Sequence, residues 1–130
     1  MKKILLFVIA ILGNTTFAND QQYYDGNYEL LLVQKCATEL ITLSKIRESF
    51  SSEKEQVQLV DSLIDSQITY LLITRKAWRS DSYLQRLISL SSSKINTEWN
   101  RIPPSKYVNK KSIDFIKSAS LAKEKEKGSE

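Results

Sequence analysis

The chain has 130 residues, with 19 Lys and Arg, 15 Asp and Glu, one cysteine and no histidine. Without histidine, Ser-His-Asp and Cys-His catalysis and zinc sites with Cys/His spacing are excluded. A single cysteine cannot form an internal disulfide, and three glycines leave no phosphate-binding glycine loop. The composition therefore predicts a protein that is not an enzyme and that holds no metal or cofactor.

The first 18 residues are predicted to be a cleavable bacterial-type secretory signal peptide. Lys2 and Lys3 precede the apolar run Ile4–Leu12, and the small residues Thr16 and Ala18 suit cleavage after Ala18. The alternative is an uncleaved membrane anchor, but a spanning helix needs roughly 20 apolar residues and this run is shorter. We therefore expect a periplasmic protein, or one released from the cell, that has no membrane attachment after cleavage.

Cleavage also changes the charge of the chain. Two lysines leave with the signal peptide, so 17 Lys and Arg remain against 15 Asp and Glu, and the net charge falls from +4 to +2. A nucleic-acid-binding protein would carry a basic stripe, whereas this chain has only scattered basic pairs. We therefore expect no nucleic-acid partner.

Apolar residues recur at helical spacing, which predicts an all-α fold, a small bundle of about four helices around one core. The first helix is predicted over Asn27–Glu48, after a turn signal at residues 25–27. Its wide apolar face indicates a central helix, with a stripe formed by Tyr28, Leu32, Cys36, Leu40 and Leu43.

The second helix is predicted to follow a capping box, Ser52 with Glu55, and to run to about Lys76. Its inward-facing residues are Val57, Val60, Ile64, Ile68, Leu71 and Leu72.

The third helix is predicted from Ser82 to about Trp99, with Ser80 or Asp81 as its cap. Pro103-Pro104 predicts an extended connector, because each proline fixes its own φ and restricts the residue before it. The last helix is predicted from Lys110 to about Ala122 and capped by Asn109. We assign residues 19–122 to a single helical domain and residues 123–130 to a charged flexible tail that lacks an apolar anchor.

Cys36 and the acidic residues allow alternative interpretations. Cys36 is either a buried small residue or half of an intermolecular disulfide, and burial is favoured because free cysteine is among the most buried residue types. Asp61 and Asp65 lie four residues apart and would share one helix face. Carboxylates are mostly exposed, so we expect this face to be solvated. A hydrolase that uses Asp61, Asp65 or Glu98 would need a cleft, for which a domain of this size has little room.

Four segments carry a resemblance to a known family. They are residues 28–36 (YELLLVQKC), residues 66–71 (SQITYL), the lysine and aromatic region at 94–99, and residues 109–118 (NKKSIDFIKS). Over roughly residues 26–121 the chain resembles the amidase immunity proteins of type VI secretion systems. These small periplasmic helical proteins protect a cell from a peptidoglycan-cutting amidase that is injected by its neighbours. The resemblance implies a homodimer that occludes the catalytic cleft of the amidase.

The chain departs from this family at one position. Family members carry a cysteine in the last segment, which pairs with the cysteine of the first helix. Ser112 stands at the matching position here, so that disulfide cannot form. Loss of a disulfide typically costs about 2–5 kcal/mol in a small secreted domain, and close packing of Cys36 beside Ser112 would recover part of this loss.

The resemblance favours a periplasmic immunity protein that binds and blocks the active site of a cell-wall amidase effector. The candidate partner-binding residues lie at two predicted helix ends, and Trp and Arg are enriched among interface hot spots. They are Arg75, Trp78, Arg79, Trp99 and Arg101. Alternatively, Trp78 folds back as a lid on the core, since large aromatic residues are highly buried on average. The alternative function is a small periplasmic helical adaptor or structural module of an envelope or secretion complex.

Overall fold

The computed structural model describes residues 27–50 and 53–128. Within these two ranges the regular structure is entirely helical, which confirms the predicted all-α bundle. The helices are α1 (Tyr28–Ser49), α2 (Lys54–Ile73), the one-turn α3 (Arg75–Trp78), α4 (Ser82–Arg101) and α5 (Lys110–Gly128). The predicted signal peptide (residues 1–18), Ser52 of the predicted capping box and the last two residues lie outside the described ranges.

Two helices begin at polar side-chain caps, and the sequence predicted the second of them, Asp81. The Asn27 side chain accepts a hydrogen bond from the backbone N–H of Leu30 at 3.1 Å, at the start of α1. The Asp81 carboxylate accepts one from the backbone N–H of Leu84 at 3.0 Å, at the start of α4. Each cap satisfies a backbone donor that has no partner within its own helix.

The second helix ends earlier than the predicted limit at Lys76. Thr74 leaves helical geometry, with φ −94° and ψ 9°. Its hydroxyl and its backbone N–H both donate to the carbonyl oxygen of Tyr70, at 2.8 and 3.0 Å. The chain turns at Thr74 and enters α3, a separate single turn that we did not predict.

The last helix continues past the predicted end at Ala122. It runs to Gly128, through most of the segment that we predicted to be a flexible tail. Alanine, lysine and glutamate are among the strongest helix formers. A segment built from them can extend an existing helix without apolar anchors, because propagation adds one hydrogen bond for each residue fixed.

The core lies between α1 and α4, with α2 packed against α1 and α5 packed against α4. This arrangement confirms α1 as a central helix. Each of the four long helices contributes fully buried apolar side chains, among them Leu40, Leu43, Ile64, Ile68, Leu84, Ile95 and Ile116. Tyr28 was predicted to belong to this apolar face, but it is 74% exposed because it is the first residue of α1, at the end of the bundle.

No helix in the described ranges combines the length and the apolarity that crossing a membrane requires.

Candidate interaction site

An open groove of about 680 Å³ lies where α3 meets α4 and α5. We refer to it as the corner groove. The apolar part of its lining consists of Trp78, Ile88, Phe115 and Ala119, and the polar part consists of Gln85, Ser89 and Ser118. The exposed side chains of Arg75 and Arg79 complete the lining. Three of the five residues predicted to bind a partner therefore lie in this groove.

Trp78 is held in place by contacts with two helices. Its indole N–H donates to the carbonyl oxygen of Leu71 at 2.8 Å. Its ring packs edge-on against Phe115 of α5, with centroids 6.3 Å apart and planes at 84°, a favourable aromatic geometry. Only 6% of Trp78 is exposed. Trp78 therefore covers the core, as the alternative interpretation of the sequence proposed, and its remaining surface lines the corner groove.

The two arginines of the corner groove stand side by side. Arg75 and Arg79 are four residues apart and Arg79 retains helical geometry, so both project from the same side of one turn. Among the residues that the structure describes, no carboxylate lies within ion-pair distance of either guanidinium. Two positive charges are thus presented to solvent next to aromatic side chains.

A hydrogen bond between α4 and α5 fixes the opposite wall of the corner groove. The Ser89 hydroxyl donates to the carbonyl oxygen of Ala119 at 2.8 Å. The edge-on contact of Trp78 with Phe115 joins α3 to α5 at the same groove. The helices that form the groove are therefore already held together in the free protein.

The other two predicted partner-binding residues lie far from the corner groove. Trp99 and Arg101 are at the end of α4, whereas α3 comes just before its start. A 20-residue helix spans about 30 Å, so the five predicted residues do not form one surface. Like Trp78, Trp99 is only 6% exposed, but Trp99 does not line the corner groove.

A buried ion-pair network, formed by Arg47, Asp61, Glu98 and Arg101, occupies that end of the bundle. Arg47 and Asp61 are both 0% exposed. The guanidinium of Arg47 binds the Asp61 carboxylate through two hydrogen bonds, Nε to Oδ1 at 2.7 Å and Nη2 to Oδ2 at 3.2 Å. It also donates to the carbonyl oxygens of Glu98 and Pro103, at 2.9 and 3.1 Å. Such bidentate, charge-assisted pairing satisfies charges that water does not reach.

Asp61 also accepts hydrogen bonds from two other parts of the chain. The indole N–H of Trp99 donates to its Oδ1 at 3.2 Å, and the backbone N–H of Ser105 donates to its Oδ2 at 2.9 Å. Arg101 completes the network by donating to both carboxylate oxygens of Glu98, at 2.9 and 2.7 Å, and to the carbonyl oxygen of Arg47 at 3.2 Å. The network thus joins α1, α2, α4 and the connector before α5.

Asp65, one turn after Asp61, holds the start of α5. Its Oδ1 accepts hydrogen bonds from the backbone N–H of Asn109 at 2.9 Å and from the hydroxyl of Ser112 at 2.7 Å. Both donors lie at the start of α5, where a negative charge is favourable. Ser112 is only 1% exposed, so the residue at the position of the family's second cysteine is buried and hydrogen-bonded to α2.

These contacts correct our expectation that Asp61 and Asp65 form a solvated helix face. Asp61 is fully buried, Asp65 is half-buried, and both bind the connector or the start of α5. Among the described residues, no cluster of three or more acidic, Cys or His side chains could hold a metal ion. The arrangement of these carboxylates stabilises the bundle and offers no open cleft with two free carboxylates.

Arg47 was not among our predicted residues, although the sequence carries a signal for its role. Arg47 follows Leu43 by four residues and so continues the apolar stripe of α1, while Asp61 lies between Val60 and Ile64 on the inward face of α2. Opposite charges at inward positions of neighbouring helices predict a buried pair, because an unpaired charge there is costly.

Cys36 is buried, as expected, and it is a free cysteine. Burial, reinforced by the nearby Glu39 carboxylate, raises the pKa of its thiol to about 12. The thiol is therefore overwhelmingly protonated at neutral pH, and it lacks the thiolate character of a reactive cysteine.

Comparison of the chain with protein-family models, with curated proteins and with solved structures finds no match.

Proposed function

We propose that this protein is a periplasmic immunity protein that binds a peptidoglycan amidase effector and blocks its active site. The observation that carries the proposal is the corner groove. It joins the remaining surface of two aromatic side chains to two guanidinium groups that have no carboxylate partner among the described residues. Trp and Arg are residue types that dominate the energetics of protein interfaces. The resemblance over residues 26–121 supplies the class of partner.

The acidic side chains considered for catalysis are bound within the chain, which supports an inhibitor rather than a hydrolase. Asp61, Asp65 and Glu98, the three residues considered for acid–base chemistry, all bind other parts of the same chain. A hydrolytic site needs one carboxylate free to protonate a leaving group and another free to activate water. A protein that acts by occlusion needs only a preformed surface, and the groove walls held by Trp78 and Ser89 support this mode of action.

Gene neighbourhood gives a first test. An immunity protein of this kind is expected to be encoded beside its effector, which would be an amidase with a catalytic cysteine and histidine. An unrelated neighbourhood would favour the alternative, an adaptor of an envelope or secretion complex.

A co-export experiment tests the function directly. Cells that export the neighbouring amidase into their own periplasm are expected to lyse, and co-expression of the full chain is expected to prevent lysis. The matched control is the chain without residues 1–18, which should remain in the cytoplasm and give no protection. Equal lysis rates with and without the full chain would refute immunity to that amidase, and inhibition of peptide cleavage by the purified proteins would confirm direct blocking.

A further inference from the structure

We infer that the corner groove binds an acidic, aromatic-containing segment of the partner protein, with a carboxylate between Arg75 and Arg79 and an apolar side chain against Trp78 and Phe115. The inference rests on the proposed function for the identity of the partner, the effector, but its chemistry follows from the groove itself.

The positive charge of the groove indicates that its occupant is negatively charged. Among the described side chains, its lining contains two arginines and no carboxylate. Like charges four residues apart on one helical turn repel each other, and no described carboxylate neutralises Arg75 or Arg79. A carboxylate placed between them would relieve this repulsion and could accept hydrogen bonds from both guanidinium groups.

The apolar part of the lining indicates that the occupant also carries an apolar side chain. Trp78, Ile88, Phe115 and Ala119 border the same space as the two guanidinium groups. Trp78 and Phe115 each keep only 6% of their surface exposed. A phosphate or another small anion would not cover this remaining apolar surface, whereas an aromatic or aliphatic side chain would. A nucleic acid would need a longer basic stripe than two arginines provide.

The size and rigidity of the groove suit a short protein segment. Its volume of about 680 Å³ lies within the roughly 300–1,000 Å³ typical of ligand pockets, so it admits a few side chains. The Trp78 indole is bound to Leu71, and Ser89 ties α4 to Ala119 of α5. Preorganised walls reduce the entropy lost on binding.

Peptide titration followed by NMR tests the inference without any amidase. The probe is a capped nine-residue peptide with two aspartates flanking one phenylalanine, and the control peptide replaces both aspartates by asparagine. The indole N–H of Trp78 reports on the groove, and that of Trp99, at the other end of α4, reports on distant effects. We expect the aspartate peptide to shift the Trp78 signal but not the Trp99 signal, and the asparagine peptide to bind at least about tenfold more weakly.

Charge reversal at the arginines supplies the matched variants. Arg75→Glu/Arg79→Glu is expected to abolish the shift of the Trp78 signal. Lys76→Glu changes an exposed residue of the same turn that does not line the groove, so it is expected to retain the shift within about twofold. Because the two peptides are compared on the unaltered chain, the test holds even if the double variant folds poorly.

Three results would overturn the inference. They are equal shifts with both peptides, shifts confined to residues outside the groove, and a Trp78 signal that moves with protein concentration alone, which would assign the groove to a second copy of this chain. Failure of the proposed function gives a different result: the amidase is not inhibited although the aspartate peptide binds. If the unaltered chain and the double variant inhibit the amidase equally, the function stands and the groove is not its contact site.

Discussion

The guanidinium of Arg47 is fully buried and donates hydrogen bonds to α2, to α4 and to the connector before α5. A buried ion pair adds little net stability compared with well-packed apolar residues, but removal of one partner leaves an uncompensated charge. The contribution of Arg47 is therefore best measured by comparing single and double substitutions.

Arg47→Met is expected to lower the free energy of unfolding by about 3–5 kcal/mol, because Asp61 remains buried without its partner. Urea denaturation followed by circular dichroism measures this loss. Lys45→Met, at an exposed position of the same helix, is the control and is expected to change stability by less than about 0.5 kcal/mol.

The double variant Arg47→Met/Asp61→Leu should recover part of the lost stability. Recovery would remain incomplete, because the indole of Trp99 and the backbone N–H of Ser105 lose their acceptor. A double variant that is less stable than Arg47→Met alone would contradict the view that an unpaired Asp61 causes most of the loss.

At the scale of a helix, α5 depends on Asp65 of α2. The carboxylate accepts hydrogen bonds from Asn109 and Ser112 at the start of α5, where backbone donors have no partner within the helix. Only a few residue pairs of α2 and α5 lie close together compared with those of α4 and α5. The Asp65 contacts are thus a principal link between the second and last helices.

Asp65→Ala is expected to cost about 1–3 kcal/mol, the range for loss of hydrogen bonds to a charged acceptor. It should also accelerate hydrogen exchange of the backbone amides in the first turn of α5. Asp114→Ala, which alters an exposed carboxylate of α5, is the control. Unchanged exchange in the first turn of α5 would show that Asp65 does not hold this helix.

Helix positions were predictable to the extent that local chemistry determines them. Asn27 and Asp81 act as caps, and each predicted start of α1 and α4 lies within one residue of the observed one. The end of α2 was not predictable from apolar periodicity, because Leu71 and Leu72 continue the apolar pattern up to the turn at Thr74.

At the scale of the whole molecule, the sequence predicted the number of long helices but not the corner groove. Arg75 and Trp78 approach Phe115 and Ala119 only after α3, α4 and α5 have packed together. Local patterns carry no information about contacts across so many residues. For the same reason, the sequence identified Trp78 and Trp99 as equivalent candidates, although Trp78 lies before the start of α4 and Trp99 lies near its end.

The oligomer that the resemblance implies is expected to be non-covalent. Cys36 is 9% exposed, and burial with the nearby Glu39 raises the pKa of its thiol from 9.0 to about 12. At pH 8 this leaves about a thousandfold less thiolate than in the unfolded chain, and the thiolate is the form that reacts. We expect slow alkylation by iodoacetamide in the folded protein and rapid alkylation in urea.

The molar mass measured by light scattering should be the same with and without reducing agent. Rapid alkylation of the folded protein, or a dimer that dissociates in dithiothreitol, would contradict this prediction and favour an intermolecular disulfide.

The two aspartates of α2 have a consequence for changes in chain length. Surface loops generally tolerate insertions and deletions. Here Asp61 binds the backbone N–H of Ser105 and Asp65 binds that of Asn109, and both pairs are 44 residues apart in the chain. One turn of helix thus fixes the distance between two backbone groups of the connector. A residue added or removed between Ser105 and Asn109 would misalign one of them, so homologous chains should vary in the composition of this stretch but keep its length.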